Sequence, residues 1–171
     1  MYILEAFGHA PTLFNANSTR FAKHIELAFT SRGDLTSATI SQFLLEKSRL
    51  TLDFPHDRNF LIFYYLLSGL DSPSLSTLGL GGIQSHRITR MSEGGLSNYQ
   101  TRQWNEKFHD LEQGMLNQGL AEEEVKCVYR LLAGIVLLCD IEFEMVRDSK
   151  SAEGRPSEIL YVKNHTVLQK G

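Results

Sequence analysis

Residues 15–23 read Asn-Ala-Asn-Ser-Thr-Arg-Phe-Ala-Lys. The six from Asn15 to Arg20 hold two carboxamides, two hydroxyls and one guanidinium. Hydroxyl oxygens can ligate a hard cation such as Mg²⁺, and a guanidinium pairs with a carboxylate or a phosphate. The same residue types also build ordinary turns, because Asn, Ser and Thr side chains bond the nearby backbone. On chemistry alone the turn is the plainer reading, so the surroundings of the loop have to decide.

Toward the N-terminus, Tyr2, Ile3, Leu4, Glu5, Ala6 and Phe7 read as the last turns of a helix, with Gly8 as its stop. A helix with so little body leads to the expectation that the protein continues upstream. Residues 9–20 then form a polar loop. On the far side, Ile25, Leu27 and Phe29 alternate with more polar neighbours, the period of a strand. Ser31-Arg32-Gly33-Asp34 signals a turn, and residues 35–40 return as a second strand, giving a hairpin. Leu50, Leu52 and Phe54 alternate again before Pro55 ends the run. Glu46, Lys47 and Arg49 read as a surface or inter-element salt-bridge group, and His24 as a solvated strand residue.

Beyond the strands the period becomes helical. Phe60, Phe63, Tyr64 and Leu67 fall at i, i+3, i+4 and i+7, and Leu61, Tyr65 and Leu66 cover the other side. The spacing predicts a mostly buried helix over 57–67, capped by Asp57 and Arg58 and stopped by Gly69, with its aromatics as core and not a cofactor box. Residues 70–101, rich in Ser, Gly and Leu, read as irregular. Trp104, Phe108, Leu111 and Met115 share one face of a further helix. Gly119 separates it from a helix over 122–138, whose Glu122, Glu123 and Glu124 suit the positive end of the helix dipole. Val125, Val128, Tyr129, Leu132, Ile135 and Val136 form its core face. Ile141 and Phe143 suggest an extended stretch, 147–157 a charged loop, and 159–162 a short strand. The fold class is mixed α/β and rich in helix.

With 42% apolar and 22% charged residues the chain is globular in composition, and 171 residues suit one domain or a segment of a larger one. A net charge of −3 with no Lys/Arg cluster excludes a general nucleic-acid binder or a membrane-surface protein. Cys127 and Cys139 form no CxxC pair and have no His at ligand spacing, so they read as buried thiols in a reducing compartment and not as zinc ligands. The longest apolar run, 131–139, is too short for a transmembrane span, and no signal peptide is evident. The Asn-x-Thr triplets at Asn17 and Asn164 are accordingly expected to be unglycosylated, and the protein to be cytosolic.

Five segments, in order, resemble the motor domain of myosins. Residues 15–23 resemble the switch I loop, NxNSSRFGK, and the preceding Leu4-Glu5-Ala6-Phe7-Gly8 resembles LEAFGNA. Leu44-Leu45-Glu46-Lys47-Ser48-Arg49 is similar to YLLEKSR, residues 57–69 to ERNFHIFYQLLAG, and 131–143 to LLAAILHLGNIEF. The likeness is poor over 70–102. Ala22 stands where the family has Gly, Cys139-Asp140 where it has Gly-Asn, and Phe14 in a usually polar stretch, which is similar to divergent, unconventional myosins. A position needing φ > 0 would be strained by Ala22.

The resemblance implies part of a P-loop NTPase-type motor head that uses ATP and Mg²⁺ and moves on actin filaments in the cytoplasm and cytoskeleton. Residues 9–23 would be switch I, about 24–54 transducer strands that include a β-hairpin, and about 55–171 helices and loops of the upper 50K subdomain. Asn15, Asn17, Ser18 and Thr19 would bind nucleotide. Thr19 would ligate Mg²⁺ where the family has Ser, Ser18 would help to position the γ-phosphate and attacking water, and Arg20 would pair with a switch II Glu when the site closes. Ser18 and Arg20 are thus the candidate catalytic residues. No GxxxxGKS/T phosphate loop and no DIxGFE pattern occur in these residues, so the segment alone is expected to be inactive even if the parent is an ATPase. The alternatives are a non-enzymatic, myosin-derived actin-binding scaffold and an unrelated α/β interaction domain. The second requires five chance matches in order, and burial of Asn15–Arg20 in a core, facing no open cleft, would favour it. Unpaired strand edges and exposed apolar faces are also expected of the isolated segment.

Overall fold

A computed structural model describes residues 2–51, 57–90, 98–148 and 157–164. In chain order the elements are α1 (Tyr2–Gly8), β1 (His9–Ala10), β2 (Ser18–Thr19), β3 (Ala22–Phe29), β4 (Leu35–Phe43), α2 (Leu61–Gly69), α3 (Ser72–Thr77), α4 (Asn98–Asn117), α5 (Glu122–Cys139), β5 (Phe143–Asp148) and β6 (Ser157–Val162). The strands pair as three antiparallel two-stranded sheets among the described residues, each between neighbours in sequence. Mixed α/β with a helical majority is therefore the architecture.

The core lies among α1, α2, α4 and α5. Apolar on nearly every side, α2 buries Leu61, Ile62, Phe63, Tyr64, Leu66 and Leu67. It packs against α4, where the Tyr64 and Trp104 rings lie 4.8 Å apart. Gly69 is the last residue of α2 and not a stop beyond it. A Cβ there would fall 2.1 Å from Phe108 Cγ, so the glycine is what lets the two helices approach. The expected face of α4 is buried at Trp104, Phe108, Leu111 and Met115. Phe108 reaches α5 through Tyr129, ring to ring at 5.3 Å. The Tyr129 hydroxyl donates to Glu112 at 3.0 Å. Burial first, and that carboxylate second, push Tyr129 well above the ordinary phenol range. Gly119 separates the helices at φ +95°. The Glu124 carboxylate then accepts the Ala121 N–H at 2.7 Å. Ala121 has no side-chain oxygen to reciprocate, so half of a capping box starts α5.

Several sequence expectations need correction. Residues 70–101 are not wholly irregular: Asp71 caps α3 by accepting the Ser74 N–H at 2.9 Å, with Pro73 in the first turn, and Ile83–Ser85 forms a 3-10 turn. Residues 57–60 are not helical and α2 begins at Leu61. Asp57 and Arg58 do not cap it, because Asp57 is drawn to Arg49 and Arg58 lies 5.3 Å over the Trp104 ring. Asn59 does the local bonding, accepting from the Phe60 N–H at 2.8 Å and donating to Arg49 O at 2.9 Å. Leu50 closes a 3-10 turn, Lys47–Leu50, in place of opening a strand, while Leu52 and Phe54 lie outside the described residues. Cys127 is exposed, not buried. Cys139 is half-buried, and burial raises its thiol.

The hairpin was read correctly but runs longer, to Phe43. Ala22 faces Phe43, Ile25 faces Ile40, and a bulge sits between Ala28 and Phe29. Ile25, Leu27, Phe29, Leu35 and Ile40 are all exposed. Here an apolar ribbon is held by its own ladder and not by a core.

Candidate functional site

Between the helical core and this hairpin lies the polar loop. The chain leaves α1 at Gly8, where a Cβ would meet the Phe21 ring at 2.3 Å. β1 then pairs with β2, setting His9 opposite Thr19 and Ala10 opposite Ser18. Residues 11–17 are thrown out as a loop closed by local bonds. Thr12 N–H donates to Asn15 O at 2.8 Å, Asn15 N–H to Thr12 Oγ1 at 3.1 Å, and Asn17 N–H to Asn15 Oδ1 at 2.9 Å. The turn chemistry read from the sequence is thus present. Longer bonds anchor the loop: Arg20 N–H to Gly8 O at 2.8 Å, Arg58 N–H to Pro11 O at 2.9 Å, and Leu13 N–H to Asp57 Oδ1 at 3.1 Å.

The candidate residues are brought to one place. Asn15, Asn17 and Thr19 are exposed, Ser18 and Arg20 half-buried. Asn15 spends its Oδ1 on Asn17, and its NH₂ has no partner among the described residues. Asn17 Oδ1 and Thr19 Oγ1 meet opposite nitrogens of the His9 ring, at 2.9 and 3.1 Å. Arg20 donates one terminal nitrogen to Ser18 Oγ and the other to Glu46 Oε2 at 3.4 Å. Its Nε is buried with no hydrogen-bond partner.

Behind Arg20 the charges alternate. Glu46 Oε2 also accepts from Arg49 Nε at 2.9 Å, and Arg49 pairs with Asp57 at 3.4 Å and donates to Arg58 O at 2.9 Å. Arg49 is 2% exposed, so of the two forms expected, surface or inter-element salt-bridge group, the structure has the inter-element one. Two cations and two carboxylates cancel, which keeps a buried guanidinium tolerable. Leu44 helps to form it: at φ +58°, unusual without glycine, it turns the chain out of β4 so that Glu46 N–H reaches Arg20 O at 2.9 Å. Ala22 lies in β3 with an ordinary φ, so it does not strain the loop.

The donor set suits a hard cation and phosphates. It offers hydroxyl oxygens, amide N–H groups and a guanidinium with one unsatisfied buried N–H. No group of three or more His, Cys, Asp or Glu forms a metal site among the described residues. Mg²⁺ asks for few protein ligands because it shares phosphate and water oxygens. Sequence reasoning missed His9 and the Arg20–Glu46 pair. Both depend on pairing across a loop, which no local spacing signals.

Elsewhere a cleft of about 830 Å³ is lined by Leu80, Gly81, His86, Arg87, Asp140 and Asn164 among others. His86 Nδ1 lies 2.6 Å from Asp140 Oδ2, while Gly81 N–H donates to His86 Nε2 at 2.9 Å. Nδ1 therefore carries the proton and the Nε2 lone pair is already used, which removes His86 as a general base. Asp140 also accepts the Arg87 N–H at 2.7 Å. The pair ties the glycine-rich loop to the end of α5.

An exposed polar loop is thus anchored between a helix end and a hairpin by a charge relay centred on the buried Arg49. The family model described as myosin head (motor domain) matches residues 2–168. Mouse Myosin-IIIa is 34% identical over 174 residues, covering 98% of this chain and 10% of that protein. The Myosin-J heavy chain of Dictyostelium discoideum is 36% identical over 147 residues, covering 86% and 6%. The Myosin-K heavy chain of the same organism is 33% identical over 142 residues, covering 83% and 16%. The chain belongs to the myosin head (motor domain) family. It spans between 6% and 16% of the length of these three relatives. No helix among the described residues is long and apolar enough to cross a membrane.

Proposed function

We propose that residues 9–23 are the switch I loop of an ATP-driven, actin-based motor working in the cytoplasm and cytoskeleton. On this reading β3 and β4 belong to the transducer sheet of a P-loop NTPase-type head, and the helices from α2 onward to its upper 50K subdomain. Asn15, Asn17, Ser18 and Thr19 contact nucleotide, and Thr19 holds Mg²⁺. When bound, Mg²⁺ would neutralise phosphate charge. Ser18 orients the γ-phosphate and the attacking water. Arg20 is the latch, able to leave Glu46 for an acid of a closing segment, so that water is held only in the closed state.

The observation that carries the reading is the division of labour within the loop. Its base is fixed by Arg20, Glu46 and buried Arg49, while the Asn15 amide N–H₂ and the Thr19 oxygen remain on an exposed rim. The ordinary φ of Ala22 takes away one of two reasons for a non-enzymatic scaffold, the other being the poor likeness over 70–102.

The test uses the intact protein, measuring binding of a fluorescent ATP analogue and ATPase with and without actin filaments. Thr19→Val is expected to weaken Mg²⁺-dependent binding. Arg20→Ala is expected to lower actin-activated turnover roughly 10²-fold, the size of a lost transition-state donor and more than the loss of affinity from the loosened loop. Nucleotide binding without turnover would favour the scaffold. Absence of nucleotide binding would exclude the switch I assignment.

A further inference from the structure

His9 lies beside the proposed phosphate-facing residues, and its ring is fully engaged. Pairing of β1 with β2 sets it opposite Thr19. Nδ1 lies 2.9 Å from Asn17 Oδ1 and Nε2 lies 3.1 Å from Thr19 Oγ1. The Phe21 ring, 6.1 Å away and tilted by 44°, flanks it. A neutral imidazole has one N–H and one lone pair. An amide oxygen can only accept, so Nδ1 holds the proton and Nε2 accepts. The proton within reach of Nε2 is that of the Thr19 hydroxyl.

We infer that His9 is a positioning residue: it draws the Thr19 hydroxyl proton toward Nε2, leaving the oxygen lone pairs for a hard cation, while its Nδ1–H holds Asn17. This inference rests on the switch I reading. A free hydroxyl rotates, and in many of its orientations the proton faces the ligand side. A Mg²⁺ ligand must present oxygen. His9 removes that freedom before ligand arrives, the economy of a preorganised site. It acts through Thr19 and Asn17 and need touch no ligand itself.

The experiment compares the intact wild-type protein with His9→Phe, Thr19→Val, Thr19→Ser and the His9→Phe/Thr19→Val double variant. The Mg²⁺ concentration for half-maximal binding of a fluorescent ATP analogue is read, alongside binding of the same analogue in EDTA. His9→Phe removes the bonds to both Thr19 and Asn17: loss of the Thr19 bond should raise the Mg²⁺ requirement roughly three- to tenfold, and loss of the Asn17 bond should lower EDTA binding by a smaller factor. Thr19→Ser should keep the wild-type value. Relative to its own EDTA binding, the double variant should need no more Mg²⁺ than Thr19→Val, since the His9–Thr19 linkage is already lost in the single variant.

If instead Nε2 carried the proton, it would occupy a Thr19 lone pair, and His9→Phe would leave the Mg²⁺ requirement unchanged or lower it. That result, additive effects in the double variant, or an equal fall in EDTA binding would overturn the role of His9 while leaving switch I standing. A wild-type protein that binds no Mg²⁺-nucleotide would overturn the switch I reading, and with it this one.

Discussion

Two regions of the chain are built on different principles. The α1, α2, α4 and α5 layer is held by apolar contact: Phe63, Leu66, Leu111 and Val136 are almost wholly withdrawn from solvent. Beyond the buried Ala10, the loop and hairpin to residue 46 are held by hydrogen bonds and one charge relay, and Phe14 at the loop tip is 95% exposed. The difference separates stability from chemistry. A close-packed interior cannot offer unspent polar groups without a large desolvation cost. A solvent-facing loop can, provided its base is fixed. Here fixing is done by Arg49, which sits in the interior and carries its order outward through Glu46 to Arg20.

The sharpest way to break this comparison is to truncate one aromatic in each region. Phe108 lies between Gly69 and Tyr129, so Phe108→Ala should cost about 3–5 kcal/mol in chemical unfolding. Phe14→Ala should stay within about 0.5 kcal/mol. Similar effects at both sites would mean that the loop is packed after all.

Next in size is the joint between the regions. Arg49→Ala leaves the partly shielded Asp57 carboxylate without its cation, Glu46 with Arg20 alone, and Arg58 O without its guanidinium. An uncompensated charge at a partly buried site predicts a loss of about 2–4 kcal/mol in the same assay. Arg49→Lys should recover little of it, because one ammonium nitrogen cannot span the contacts that Nε, Nη1 and Nη2 make to Glu46, Arg58 O and Asp57. If the relay fixes the loop, nucleotide affinity of the intact protein should fall in parallel with stability. A stability loss with affinity intact would show that the core does not govern the loop.

How much could be read in advance follows the same division. The buried face of α4 and the Val125, Tyr129, Leu132 and Val136 face of α5 were legible, because burial on one side imposes a period. The hairpin was legible from its alternation and turn. α3 was not: its residues 72–77 include none that is buried, so no period marks them. Leu50 misled because alternation over few residues also fits a 3-10 turn. The loop residues were legible as candidates from their types and from family likeness. Their partners His9 and Glu46 were not, because those contacts follow from register and from the positive φ of Leu44.

The smallest effect concerns α3, which belongs with the loop as a segment held by local bonds. Asp71 caps it, and acceptance of the Ser74 hydroxyl and N–H holds this carboxyl below its usual value. The sign follows from linkage. A group whose folded value is depressed binds protons more readily when unfolded, so its contribution is complete above the unfolded value, near ~4, and disappears as pH falls through the folded one. Asn caps helices about as well as Asp but carries no charge. Asp71→Asn should therefore be slightly less stable than wild type at pH 7, with the gap closing below about pH 4. Asp71→Ala, which has no side-chain acceptor, should retain a deficit at every pH. Because Asp71 is fully exposed, salt should shrink the Asp–Asn gap but not the Asn–Ala gap, separating charge from hydrogen bond. A gap that instead widens on acidification would mean that α3 is held by something other than its cap, and that burial reaches further into this segment than its sequence suggests.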